Sequence, residues 1–211
     1  MLRVSEVFRS IQGETSRAGR PCVFIRLAGC NLNCRWCDTR YAREGGDAWT
    51  LADLLDAVDG GPQGVCVTGG EPLLQEETPA LVRALLDRGR SVAVETNGSL
   101  PIEAIDARAS RALDLKAPSS GETEKMLWSN LDLLTPRDEV KIVIADRSDY
   151  TWAAALLARD RRLAGRTVNL SPAQGMLGAA ELAEWILADR LEVRLNVQLH
   201  RILWPDAGRG R

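Results

Sequence analysis

Short apolar runs rich in β-branched residues recur along this chain, and most are followed by a stretch whose apolar residues fall at helical spacing. PCVFIRLAG precedes TLADLLDAVD, where Thr50 is suited to cap a helix. GVCVTGG precedes TPALVRALLDRG, SVAVETNG precedes PIEAIDAR, and ALDLKAP precedes a polar stretch. EVKIVIAD then leads into DYTWAAALLARD, RTVNLSP into AAELAEWILADR, and EVRLNVQLH reads as a last strand ending at His200. Continuous apolar strands alternating with amphipathic helices predict a parallel sheet covered by helices. The units are too few for an eightfold barrel, so the fold class is α/β, an open or partial (β/α)6-type barrel of about six strands with reduced helical cover. No low-complexity linker interrupts the 211 residues, and 1–211 reads as a single domain.

In such sheets the functional loops lie at the carboxyl ends of the strands. Here those ends read TGGEP, ETNG, DLKAP, NLSP and QLH, polar where the strand interiors are plain Val, Leu and Ile. Turn chemistry alone accounts for Gly, Asn and Pro at any one of these positions, so the signal is their convergence on one rim. A net charge of -2 does not argue for a nucleic-acid partner, and none is expected. The opening MLRVSEVFRS lacks the apolar core of a signal peptide, and no run approaches the roughly 18 apolar residues of a membrane span, so the expectation is a cytoplasmic protein with no membrane contact.

GCNLNCRWCDTR places Cys30, Cys34 and Cys37 within eight residues, at the spacing C-x3-C-x2-C. In a reducing compartment such a cluster points to metal or redox chemistry. A structural zinc site wants a fourth ligand at similar spacing. Cys22 and Cys66 lie inside apolar strand runs, where a free cysteine packs as a small hydrophobe, and His200, the only histidine, is far away in sequence. A cubane iron-sulfur cluster normally takes four thiolates, so three leave one iron open to an exogenous ligand.

With Trp36 as the aromatic before the third cysteine, and Gly69, Gly70 and Glu71 forming a GGE motif one strand later, the chain resembles the radical S-adenosylmethionine (SAM) enzymes. The resemblance implies the partial barrel of that superfamily and a 4Fe-4S cluster that binds SAM at its unique iron. The flanks SEVFRSIQGET, CDTRYA, VETNGS, KAPSSG, NLSP and QLHRILW resemble the 7-carboxy-7-deazaguanine synthase family over about Ser5 to Trp204. That likeness implies conversion of 6-carboxy-5,6,7,8-tetrahydropterin to 7-carboxy-7-deazaguanine with loss of ammonia, SAM acting catalytically and Mg2+ being required. It further implies an external low-potential reductant such as a flavodoxin or ferredoxin, and a homodimer.

By the same resemblance Ile11, Gln12, Gly13 and Glu14 meet the pterin, the first and third through backbone groups, with Arg26, Thr68 and His200 completing the contacts. Arg26 suits the substrate carboxylate, a surface salt bridge being the alternative. Thr39 matches the Mg2+ position, although Asp38 and Thr39 also suit the cap of a helix over TRYARE. SAM falls to Trp36, Gly70, Glu71, Lys116, Leu170, Ser171, Pro172 and Ala173, with Glu71 for the methionyl ammonium. Asp114 and Leu115 stand where part of the family has Ser and Pro before the lysine, so Asp114 either binds a ribose hydroxyl or pairs with an arginine. Two rivals remain at this stage: an activase that places a glycyl radical on a partner protein, and a zinc-binding scaffold.

Overall fold

The computed structural model describes residues 1–206 and 208–210. Its strands are β1 (Leu2–Ile11), β2 (Pro21–Leu27), β3 (Asp47–Trp49), β4 (Gly64–Gly69), β5 (Ser91–Thr96), β6 (Ser110–Leu115), β7 (Glu139–Ile144), β8 (Thr167–Pro172) and β9 (Arg194–Leu195). They form one nine-stranded sheet in the order β3-β1-β2-β4-β5-β6-β7-β8-β9. From β2 to β9 every pairing is parallel, whereas β1 pairs antiparallel with both β2 and β3. The six expected strands are thus β2 and β4 to β8, contiguous and in sequence order. The sheet does not close, as a partial barrel requires.

Four helices cover the outer face: α1 (Leu51–Val58), α2 (Thr78–Asp87), α3 (Arg147–Arg159) and α4 (Ala179–Asp189), and a short α5 (Leu199–Leu203) ends the described fold. Thr50 caps α1 in a reciprocal box with Asp53, satisfying two of the backbone groups a helix start leaves open. Asp146 caps α3 by accepting from the Asp149 amide, so this helix begins before the DYTWAAALL pattern.

A period of two divides the strands of the parallel core, β2 and β4 to β8, between two environments. Val23, Ile25 and Leu27 of β2, Val65 and Val67 of β4, Leu113 and Leu115 of β6, and Val168 and Leu170 of β8 join the core beneath the helices. Complete burial of such a side chain stabilises by about 1.5–3 kcal/mol, so this face holds the molecule together. The alternate residues, including Arg26, Thr68, Glu95, Asp114, Lys141 and Ser171, face the concave side.

Three expectations fail here. PIEAIDAR forms turns, and TRYARE only a single 3-10 turn over Arg40–Ala42, after which the chain bends and passes through Gly45 and Gly46 at positive φ, so no helix continues. EVRLNVQLH pairs only over Arg194–Leu195, and His200 belongs to α5 and not to a strand end. Conversely, the opening segment, unassigned from sequence, is the ten-residue strand β1.

Candidate active site

The concave side holds a cavity of about 250 Å3, lined from the cysteine loop, the strand ends and the segment after β1. Glycines bring two of these walls together. Gly29, at φ 99°, donates to Ala42 at 2.8 Å and accepts from Glu71 N at 2.7 Å, which closes the cysteine loop and ties it to the turn after β4. A Cβ at Gly70 would lie 2.1 Å from the Gly29 oxygen and 2.8 Å from Cys30 Cβ, so only glycine permits this approach.

Cys30, Cys34 and Cys37 are free, half-buried thiols on the lining of this cavity. Burial pushes the Cys34 thiol up, against the pull of the Lys116 ammonium. Asn97 Nδ2 approaches Cys30 Sγ at 3.9 Å and donates to Asn31 at 3.0 Å. Among the described residues no three His, Cys, Asp or Glu side chains converge on a single-ion site. Three thiols spaced along one loop at the mouth of a polar cavity match the donor chemistry of a cubane with an open iron. Cys22 and Cys66 instead pack with Phe24 and Phe8 in a separate apolar cluster, as expected.

SAM candidates divide by strand period. Gly70, Trp36, Lys116, Ser171, Pro172 and Ala173 line the cavity. Leu115 and Leu170 do not: their side chains are 1% and 0% exposed in the outer core, so contact through those side chains is excluded. Asp114 faces the cavity and pairs with Lys116 at 2.8 Å, not with an arginine, leaving its buried Oδ1 without a partner. Such an orphaned acceptor suits a ligand hydroxyl or N–H. Glu71 is corrected as well. It is 0% exposed and accepts from Leu73 N, Thr96 Oγ1 and Asn97 N, so it braces the loops and offers no face to the cavity.

Gln12, Gly13 and Glu14 arrive from the opposite direction to the other site loops. Because β1 is antiparallel, its end lies at the base of the barrel, and the chain then crosses the lumen before returning into β2. Ile11 also lines the cavity. Gln12 donates to Glu95 Oε1 at 3.1 Å, and Thr68 donates to Glu95 Oε2 at 2.9 Å. The Gly13 carbonyl already accepts from Leu199 N, and a Cβ on Gly13 would lie 2.1 Å from His200 Nδ1. His200 is therefore stacked against the glycine at the cavity wall, and burial holds its imidazole below the ordinary value against the opposing charge of Glu14. Glu14 pairs with Lys141 and accepts from Gln198 at 2.7 Å. Burial alone would push this carboxyl up, but Lys141 outweighs it and Glu14 lies below its usual range.

Arg26 has a partner: Nε donates to Glu6 at 2.7 Å, in a half-buried pair and not at the surface. Glu6 also accepts from Tyr41 at 2.7 Å, and Arg209 sits 4.1 Å above the Tyr41 ring, so part of the C-terminal tail joins the cavity wall. Ala207 and Arg211 of the tail lie outside the described residues. Thr39 precedes the 3-10 turn without capping it by its side chain, and donates to Asp38 at 3.1 Å at the cavity edge.

Sequence reasoning missed Glu95, Lys141, Asn97 and Gln198. The signal for two of them was present, since a charge in EVKIVI or SVAVET is costly to bury unless it faces a polar lumen.

Comparison with known proteins agrees with this geometry. The radical SAM superfamily model matches residues 24–171, from β2 through β8. A 7-carboxy-7-deazaguanine synthase of Chlorobaculum tepidum is 46% identical, covering 98% of this chain and 96% of that protein. One of Koribacter versatilis is 38% identical over 99% and 100%. The crystal structure of QueE from Escherichia coli superposes with a TM-score of 0.78 at 25% identity, covering 94% of both chains. SuiB of Streptococcus suis bound to S-adenosylmethionine shares the fold alone, with a TM-score of 0.58 at 16% identity over 80% of this chain and 48% of that one. The chain belongs to the radical SAM superfamily and, within it, to the 7-carboxy-7-deazaguanine synthase family.

Proposed function

We propose that this protein converts 6-carboxy-5,6,7,8-tetrahydropterin to 7-carboxy-7-deazaguanine with release of ammonia. The observation that carries the reading is the lumen itself, where amides and carboxylates suited to the donor edge of a pterin, and cations suited to its carboxylate, line the same cavity as three free cysteines. Its cofactors are a 4Fe-4S cluster and SAM, which together supply hydrogen-atom abstraction from the substrate. Cys30, Cys34 and Cys37 hold the cluster, and Trp36, Gly70, Lys116, Asp114 and the segment from Ser171 to Ala173 flank SAM.

The remaining steps belong to side chains of the lumen. Arg26, already oriented by Glu6, meets the substrate carboxylate in a charge-assisted pair. Glu14, held ionised by Lys141, accepts from the guanidine-like edge of the ring, with Gln12, Thr68 and His200 fixing the ring's position. Thr39 would offer one hydroxyl to Mg2+, a hard ion that accepts few protein ligands. We further read residues 1–211 as one domain that acts as a homodimer in the cytoplasm, receives electrons from a flavodoxin or ferredoxin, and contacts neither nucleic acid nor membrane. Among the described residues no helix is long and apolar enough to cross a membrane.

The test is anaerobic incubation of the iron-reconstituted protein with SAM, a low-potential reductant, Mg2+ and the pterin, followed by mass spectrometry. The product accumulating over many turnovers while SAM persists is the expected result. Cleavage of SAM without product overturns the pterin assignment.

A further inference from the structure

The base of the barrel contains a second cavity, of about 230 Å3, at the amino ends of β5, β6 and β7 and therefore at the end away from the cysteines. Its floor is made by Ser91, Ser110 and Glu139, the first residues of those strands. Four guanidinium groups surround it. Arg17 and Arg20 come from the loop between β1 and β2, Arg108 precedes β6, and Arg137 precedes β7.

Among the described residues, the charge at this mouth is only partly balanced. Arg108 is paired with Asp87 at 2.8 Å and Asp106 at 2.7 Å. Among the described residues the Arg17 guanidinium donates only to the Ser91 hydroxyl, at 3.2 Å. The guanidinium groups of Arg20 and Arg137 have no hydrogen bond or ion pair among the described residues. The one acid in the lining, Glu139, is 8% exposed and already accepts from the amide and hydroxyl of Ser16 and from Asn169 Nδ2. Three cations without an acidic partner around one concavity repel each other, and the less they are screened by salt the stronger that repulsion is. A multivalent anion relieves that repulsion, and the planar fork of arginine matches phosphate oxygens in particular. Ser91 and Ser110 add hydroxyl groups to the floor.

We propose that this cavity is a binding site for a phosphate-type anion, carried by free polyphosphate or by a nucleotide. Its roof is the loop that also presents Gln12 and Glu14 to the lumen, so an occupant ties down Arg17 and Arg20 on the same segment that lines the active cavity. Within that loop Thr15 takes a positive φ of 65° and its amide is held by Asn196 at 2.9 Å. The anion thus adds an anchor on the outer side of a segment already restrained from within.

The test is isothermal titration of the cluster-loaded, full-length chain with pyrophosphate, inorganic phosphate and ATP at low ionic strength, in the presence of saturating SAM so that the lumen does not compete. Saturable binding with Kd below about 1 mM is expected for pyrophosphate or ATP, weakened about tenfold or more in the Arg20→Ala/Arg137→Ala variant. Both arginines are exposed and unbonded, so the variant should keep the native circular dichroism spectrum. Tighter binding of ATP than of pyrophosphate assigns the anion to a nucleotide; the reverse order assigns it to free polyphosphate. Absence of saturable binding by the native chain, or undiminished binding by the variant, overturns the proposal. Amide exchange on the native chain is an independent readout: ligand must slow exchange within residues 12–20, and an unchanged loop refutes the site. None of these measurements depends on the pterin reaction.

Discussion

Replacing Lys141 with Met isolates the electrostatics of the lumen. Lys141 and Glu14 pair with side chains only 17% and 11% exposed, so the substitution keeps most of the aliphatic volume and strands a carboxylate in a largely desolvated position. Breaking a buried pair by removing one partner costs about 3–5 kcal/mol, and the residual exposure here places the expected loss at about 3 kcal/mol at pH 7. The sign of the pH dependence follows from the two states of Glu14. In the native chain its folded value lies below the unfolded one, so it stabilises above the ordinary carboxylate range and that stabilisation disappears as pH falls through the depressed value. Without Lys141 the burial that already pushes this carboxyl up prevails, and the ionised group destabilises at neutral pH. The gap between variant and native chain should therefore be widest at pH 7 and above, and narrow on acidification toward pH 4. Urea denaturation at several pH values measures this, with the Glu14→Gln/Lys141→Met double variant recovering part of the loss. A variant within about 0.5 kcal/mol of the native chain at pH 7, or additive effects in the double variant, would refute the coupling.

Ala at Cys30, Cys34 or Cys37 should each abolish SAM cleavage and lower the iron and sulfide content, measured after anaerobic reconstitution. Cys66→Ala, at a fully buried position whose thiol is pushed well up by burial, should leave iron content and turnover intact and cost about 1–2 kcal/mol in a denaturant titration. Gly13→Ala inserts a methyl where His200 Nδ1 would be 2.1 Å away, so it should displace the imidazole and raise the KM for pterin by more than it lowers SAM cleavage without substrate. Equal effects on both would show that the glycine acts on the cluster side instead.

The parallel core was legible because its determinants are local: β-branched runs, an N-cap at Thr50 and helical spacing each act within about ten residues. What escaped was set by contacts distant in sequence. β1 pairs with β2 across a long hairpin loop that carries no short Asn-Gly or Asp-Gly signal, and with β3 from beyond the cysteine loop, so neither its strand nor the direction from which Gln12 and Glu14 enter the lumen could be read. EVRLNVQLH has a convincing alternation, yet the sheet edge pairs only Arg194–Leu195 and the following segment turns inward to place Gln198 on Glu14. The candidate site repeats this pattern. Motif matching grouped Leu115 and Leu170 with their neighbours Lys116 and Ser171, whereas the two-residue period sends those leucines to the opposite face. The same period, applied to the charges inside the apolar strands, places Arg26, Glu95, Asp114 and Lys141 together on the inner face, whereas Arg111 shares the face of Leu113 and Leu115 and is compensated there by Asp138. For a barrel whose lumen is the site, strand parity is therefore a stronger criterion for function than adjacency to a motif, because a charge can occupy the inner face only where other polar groups compensate it.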